Sequence, residues 1–482
     1  MTAFLISLAI LIGGYLVYGL IVDRIMGTDP KRPMPAETMR DDIDYRPMAT
    51  WKVFLIQFLN IAGLGPIFGA IMGIMFGPAA FLWIALGTIF AGGVHDFCSG
   101  VISIREGGAS LPEIVGRELG IGIKQFMRGF SVLLLILVAA VFVITPAGIL
   151  AGMTPSWADV TIWTIVIFTY YILATLLPID KLIGNFYPVF GFALLFMAAG
   201  ILGYLLFTGV EIPVSFADGF ASHKAAPVFP MMFVSIACGA ISGFHATQSP
   251  MMARCLKNEK YARPIFYGAM VSEGIVALIW AAAAVAFTGG YEQLSAYMAT
   301  DGNSAGSLVR DISFSWLGTF GGLLAILGVV AAPITTGDTA LRSARLTVAD
   351  FMHLSQASIW KRLMIAVPIF ALTAIVMMID FNILWRYFAW CNQTLAVFTL
   401  WAVTVWLAKR GKIYIISLIP ALFMTVVCTS YLLVAPRPEG FGLSQQTGIL
   451  VATAVALATL CLFAYYRKQL RQNSPLSKPA AE

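Results

Sequence analysis

The chain has 482 residues, 59% of them hydrophobic and only 11% charged, with a mean hydropathy of +0.86. A soluble domain of this length carries about 25% charged residues, so a wet globular surface is excluded and lipid is the natural solvent. The net charge of +6 does not mark a nucleic-acid surface, because Lys and Arg sit in short clusters between apolar runs.

Backbone in hydrocarbon must satisfy its own hydrogen bonds, which leaves helices or a closed barrel. Apolar segments fall at 2–22, 52–75, 77–104, 126–152, 158–178, 186–208, 228–253, 264–289, 316–340, 363–380, 382–408, 413–435 and 446–466. Their length, without two-residue alternation, predicts an all-α integral membrane protein of about thirteen transmembrane helices. The first run has no basic residue before it and no small-residue cleavage site after it, so it is read as a retained span. Placing the N-terminus outside puts 26 of the 30 Lys and Arg residues on one side, and the positive-inside rule then sets N-out and C-in across a cell membrane.

Between the spans, Ser110-Leu-Pro-Glu113 has capping-box form and predicts a short amphipathic helix on the inner face. The polar segment 290–315 is expected to cover the outer mouth, and the tail from Gln472 reads as disordered. Six cysteines lie in or beside apolar runs and read as packing residues, not as a disulfide framework. No Walker-type loop, HExxH or GxSxG element is present, which disfavours ATP-driven transport and common hydrolase chemistry.

Three spans carry Gly/Pro clusters at membrane depth: Asn60-Ile-Ala-Gly63-Leu-Gly65-Pro66, Ser242-Gly243-Phe-His245-Ala-Thr-Gln248-Ser-Pro250, and Pro333-Ile-Thr335-Thr336-Gly337-Asp338-Thr339. Proline removes a donor and glycine tolerates unwinding, so helix breaks are expected at all three. Unwound main chain in hydrocarbon points to a binding site. Spans 2 and 7 lie five apart and so run in opposite directions. That suits a five-plus-five inverted repeat, LeuT-like, with residues 52–208 and 209–410 as the repeats. Residues 1–51 and 411–466 are peripheral, and 467–482 form a cytoplasmic tail.

Ionisable groups inside spans are functional candidates by default. Asp338 with Thr335, Thr336 and Thr339 reads as a coupling site for Na⁺ or H⁺, or as a helix cap. His245, with Ser242, Gly243, Gln248, Gly63, Gly65 and Pro66, reads as substrate-binding, with the half-helix N-termini meeting a carboxylate, or as a group that titrates with the transport cycle. His95, Asp96 and Glu273 read as a buried ion pair or proton relay. Asn392 and Gln393 are expected to line the pathway, and Arg386 to pair with Asp380 or to recruit anionic substrates.

Asp44-Tyr45-x-Pro47, Ile61-Ala-Gly63-x-Gly65-Pro66, Asp96-Phe97, Ala237-Cys-Gly-Ala-Ile-Ser242-Gly-Phe-His245, Gln248-Ser-Pro250, Gly337-Asp-Thr-Ala-x-Arg342-Ser-Ala-Arg345 and Arg386-Tyr-Phe-x-Trp390-x-Asn392-Gln-Thr-Leu-Ala396 resemble the carbon starvation protein A family, from span 2 through span 11. The resemblance implies a bacterial inner-membrane transporter of peptides or pyruvate, induced when carbon is scarce. It also implies likeness to the amino acid–polyamine–organocation superfamily with its five-plus-five core. The chain departs from the family pattern at Gln57, where histidines are usual nearby, and at His95, where Gln is common.

The sequence thus predicts a symporter driven by H⁺ or Na⁺, with the bilayer and a small solute as partners and no cofactor, nucleic acid or enzymatic role. A membrane starvation sensor that binds a solute without concentrating it is the alternative. An intramembrane enzyme would have to use Ser242 with His245.

Overall fold

The computed structural model describes residues 1–41, 45–176, 179–352, 354 and 358–472. Asp44 and the tail beyond Gln472 lie outside them. The described residues are helical, with no strand among them. Helix α1 spans Thr2–Met26. Next come α2, Thr50–Ile61, and α3, Leu64–Ile74, then α4, Ala79–Arg105, and the short α5, Leu111–Leu119. Helices α6 (Ile121–Ala151), α7 (Val160–Leu176) and α8 (Ile179–Phe207) follow. The stretch 228–253 is divided, ending in α9 (Ala237–Ala240) and α10 (Gly243–Ala253). The remainder comprises α11 (Glu259–Thr288), α12 (Tyr291–Ala299), α13 (Ala305–Phe351), α14 (Ile359–Val376), α15 (Phe381–Lys409), α16 (Ile415–Val434) and α17 (Gln445–Gln472). Among the described residues, ten helices are long and apolar enough to cross a membrane, or eleven when the bent α2–α3 pair is one span. Helix α7 has a shorter apolar stretch, and 228–253 is broken, so the expected count of thirteen is reached only by including both.

Two of the three predicted breaks form. Helix α2 stops where Ala62 and Gly63 leave helical geometry, and α3 departs at 45°. The second break lies at Ile241–Ser242, both extended, at the start of the predicted stretch; Pro250 sits inside α10 without ending it. The third break is corrected: α13 is continuous through Pro333–Thr339 and leaves helical dihedrals only at Gly318, φ 68°. Thr335 and Thr336 Oγ1 both donate to Ala332 O, and the Tyr171 hydroxyl donates to Pro333 O. These contacts fall at and just before Pro333, whereas the donor that proline lacks would have served Val329 O one turn earlier. At about 1.5 Å per residue, α13 is far longer than the roughly 30 Å hydrocarbon core, and the Gly318 kink divides it.

The two broken segments pack on each other through small residues. A Cβ at Gly65 would meet Cys238 Sγ at 2.4 Å, one at Gly69 Ser235 O at 2.9 Å, and one at Gly73 Ile236 Cγ1 at 2.1 Å. This four-residue stripe of glycines lets α3 approach α9 and the turn before it, as small residues do wherever membrane helices touch closely. Thr88 Oγ1 donates to Gly239 O at 3.0 Å, fastening α4 to the same place.

Four basic segments meet on one face. Arg105 donates to Met26 O and Gly27 O, Lys412 Nζ to Ile25 O and Met26 O. Arg410 and Lys409 reach Glu106 and Glu118. Glu259 is fully buried among Arg32, Arg105 and the Asp29 N–H. The capping box is a partial correction: Ser110 stands at the N-cap of α5 without a side-chain cap bond, and Glu113 pairs with Lys124 and Arg128 instead.

Candidate functional site

Helix α4 runs in wide π-type turns from Trp83 to Gly92 before resuming α geometry at Gly93. Such turns recur at functional sites, and here they deliver His95 and Asp96 to the interior. His95 Nδ1 lies 2.7 Å from Asp96 Oδ1, and His245 Nδ1 lies 2.8 Å from Asp96 Oδ2. His245 Nε2 stands 3.3 Å from Glu273 Oε2, a charge contact not aligned as a hydrogen bond. With Asp96 ionised, each Nδ1–H is the donor. All four side chains are fully buried. They form one chain, His95–Asp96–His245–Glu273, across α4, α10 and α11. The structure therefore brings together the predicted relay residues and joins to them His245, expected either to meet the substrate or to titrate with the transport cycle.

Two ends of this chain stay open, since neither His95 Nε2 nor Glu273 Oε1 has a hydrogen-bond partner in the protein. Leaving a buried polar atom unpaired costs about 1–3 kcal/mol, so each end calls for a partner from outside the protein, a water or a solute. The set is neutral when each carboxylate faces one charged imidazole, and gaining or losing a proton creates net charge in a low dielectric.

The break before α10 is sealed by Asn392 of α15. Its Oδ1 accepts the Phe244 N–H at 2.7 Å, and its Nδ2 donates to Ser242 Oγ at 2.9 Å and Cys238 Sγ at 3.1 Å. Gln393 Nε2 donates to Phe233 O at 2.6 Å. Gly243 is required there, because a Cβ would lie 2.4 Å from Asn392 O. Ser242 thus faces Asn392 while His245 faces two carboxylates, and the pair is not arranged as nucleophile and base. Gly65 and Pro66 belong to the close α3–α9 contact, while Gly63 has nothing within 4 Å of where a Cβ would stand.

Asp338 lies apart from these groups. Its Oδ2 is 3.8 Å from Arg342 Nη2, and its Oδ1 has no hydrogen-bond partner in the protein. Thr339 Oγ1 donates back to Thr336 O and Thr335 O. The expected Asp380–Arg386 pair is corrected: Asp380 caps α15 through the Asn382 and Ile383 N–H groups, and Arg386 pairs with Glu439 at 2.8 Å. Among the described residues no group of three or more His, Cys, Asp or Glu side chains is arranged to hold a metal ion.

Sequence reading passed over Gln57 as a site residue, and Asn60 too. Both are buried; neither amide atom of Gln57 nor Asn60 Oδ1 has a protein partner. The available signal was two carboxamides three residues apart on an otherwise apolar half-helix.

An all-helical membrane protein with buried charge and paired helix breaks is of the transporter class in architecture. The fold matches that of a manganese transporter from Eremococcus coleocola, with a TM-score of 0.54 at 12% identity, covering 90% of this chain and 99% of that one. The family description Carbon starvation protein CstA matches residues 1–162, 152–319 and 305–431, and the chain belongs to that family. It is 43% identical over 336 residues to a Haemophilus influenzae protein described as an uncharacterized membrane protein, covering 59% of this chain and 90% of the relative. It is 25% identical to the Bacillus subtilis peptide transporter CstA, covering 97% and 96%. It is 27% identical to the Escherichia coli pyruvate/proton symporter BtsT, covering 57% of this chain and 47% of BtsT. The chain thus matches about half the length of the latter.

Proposed function

We propose that this chain is a secondary active transporter that imports a small organic solute, a short peptide or a small carboxylate such as pyruvate, by coupling to protons. The supporting observation is the fully buried His95–Asp96–His245–Glu273 chain, which spans both a helix break and its neighbours. Imidazoles and carboxylates in direct contact can take up, pass and release protons, whereas a site for Na⁺ needs several converging oxygens. Ionisable residues at this depth mark proton relays in transporters.

In this reading solute binds beside the breaks at Gly63 and Ser242, and the five-plus-five repeats rock around it. The basic face lies in the cytoplasm, by the positive-inside rule. Asp338, with Thr335, Thr336 and Thr339, is a secondary place for the driving ion on α13. The chain acts by transport and not as a sensor, so flux is the readout.

Purified protein in proteoliposomes should accumulate labelled dialanine or pyruvate under an imposed proton gradient and not under a sodium gradient. Glu273→Gln and Asp96→Asn should abolish accumulation while leaving the protein monodisperse. Accumulation driven equally by sodium alone, or undiminished in both variants, would refute the coupling. Solute binding without flux under any gradient would favour the sensor.

A further inference from the structure

Helix α1 ends on the basic face at Gly27, φ 65°, and cations from distant segments cap its last carbonyls. Lys412 Nζ donates to Ile25 O at 2.8 Å and to Met26 O at 3.0 Å, so its third ammonium proton has no acceptor among the described residues. A Schellman turn closing α15 delivers this lysine. Gly411 stands at φ 66°, its N–H returns to Ala408 O, and the Lys412 N–H returns to Leu407 O, the pairing that defines the motif.

Positive charge is in surplus here. Glu259 is shared by Arg32 and Arg105, so one carboxylate already serves two guanidinium groups. Burial, with Arg105 and Arg32 nearby, pulls the Lys412 ammonium below the ordinary lysine range, and Glu259 offsets only part of this. Arg24, in the last turn of α1, is exposed and has no hydrogen-bond or ion-pair partner among the described residues. Its chain neighbour Asp23 is engaged by Thr28 Oγ1 at 2.7 Å instead.

A groove of about 460 Å³ is lined by Ile21, Arg24, Ile25, Gly411, Lys412 and Ile413. Ile21 is 44% and Ile413 58% exposed, so its apolar wall faces outward, where a membrane protein meets acyl chains. Arg410 lies over the Trp406 ring at 3.9 Å and Arg467 over the Tyr414 ring at 4.8 Å, the aromatic and basic company of a membrane–water interface. A soluble anion would answer the two cations and leave the isoleucines uncovered. A zwitterionic headgroup brings an ammonium that competes for its own phosphate. An acidic phospholipid answers both needs, with phosphate oxygens for the cations and a chain for the isoleucines.

We propose that the groove between the last turn of α1 and the α15–α16 turn binds one acidic phospholipid, its phosphate on Arg24 and Lys412 and an acyl chain along Ile21 and Ile413. The lipid adds a second link between α1 and this turn, beside the Lys412 cap. Anionic lipid is drawn to Lys and Arg at the membrane surface in general. What singles out this place is that the unpaired arginine, the spare ammonium proton and the apolar wall share one groove.

The test is native mass spectrometry of the full-length protein in detergent, titrated with phosphatidylglycerol, with phosphatidylcholine of the same acyl chains, or with inorganic phosphate. One phosphatidylglycerol should be held about tenfold more tightly than phosphatidylcholine, as two cations at an anionic headgroup allow. Arg24→Gln should weaken phosphatidylglycerol about fivefold and leave phosphatidylcholine unchanged. Arg24 is bonded to nothing in the protein, so the lipid-free melting temperature of this variant should equal that of the parent. Arg128→Gln removes the same charge at the start of α6, outside the groove lining, and should change neither lipid. Equal retention of the two lipids, or full phosphatidylglycerol affinity in Arg24→Gln, would overturn the site. An equal loss in Arg128→Gln would overturn it in favour of diffuse surface charge. Inorganic phosphate that displaces the lipid at equal concentration would overturn it in favour of a soluble anion.

Discussion

Asp96 and Glu259 are both fully buried carboxylates gripped from two sides by basic side chains, yet they are built for opposite ends. Glu259, on the basic face, holds Arg32 at 3.0 Å, Arg105 at 2.7 Å and the Asp29 N–H at 2.7 Å. Arg105 spends its other nitrogens on Met26 O and Gly27 O. Guanidinium groups keep their protons in proteins. Asp96 instead lies between two imidazoles, which exchange protons readily, and its chain ends in unpartnered atoms at His95 Nε2 and Glu273 Oε1. A closed set of permanent charges fastens helices together. An open set of exchangeable ones can change charge and be completed from elsewhere.

The hardest blow to this contrast is Glu273→Gln, which removes one exchangeable carboxylate and keeps the shape. We expect proton-driven accumulation in proteoliposomes to vanish, while the melting temperature falls less than when a partner of a guanidinium is removed, since His245 can shed its proton when Glu273 becomes neutral. A variant that still concentrates solute on a proton gradient would make the relay as structural as the clamp. Glu259→Gln should behave inversely. Removing one partner from a buried pair costs about 3–5 kcal/mol, so a large drop in thermal stability is expected, with the proton-to-solute ratio of surviving protein unchanged. An altered ratio would show that the clamp also takes part in coupling.

Asn392→Ala comes next. It leaves the Phe244 N–H without an acceptor and removes the contacts to Ser242 and Cys238, a loss of about 1–3 kcal/mol. Thermal unfolding in detergent should register it, and the thiol of buried Cys238 should become more reactive to maleimide. Unchanged Cys238 labelling would mean the break stays closed without the asparagine.

How much of this was legible in the sequence follows from how local each cause is. The breaks at Gly63 and Ser242 are written in residues that tolerate non-helical backbone and sit beside it. Pro333 carried the same local signal, yet α13 continues through it; among its neighbours is the Tyr171 hydroxyl, which donates to Pro333 O from 162 positions away in the chain and is invisible to a local reading. Asp96 and Glu273 were readable as charged residues within apolar runs. That His245 stands between them was not, since its contact with Asp96 joins positions 149 apart, and no periodicity encodes such a pairing. Arg386 misled for the same reason: Asp380 was near in sequence, but Glu439 is near in space.

The smallest effect is expected where both kinds of partner are half in water. Glu113 on α5 is about a third exposed and pairs with Lys124 at 2.6 Å and Arg128 at 2.9 Å. Partial burial pulls its carboxyl upward, but these two cations outweigh it and hold the group below the ordinary glutamate range. A depressed value means the pair stabilises the fold above the unfolded pKa, about 4.3. That contribution is lost as pH falls through the lower folded value. Exposure and screening keep it below about 1 kcal/mol. Melting curves on either side of pH 4 should therefore show Glu113→Gln costing a little stability at neutral pH and nothing in acid. An equal cost at both would mean that packing of α5 on α6, and not charge, holds this amphipathic helix, and the clamp at Glu259 would then be the better model for how the basic face is fastened.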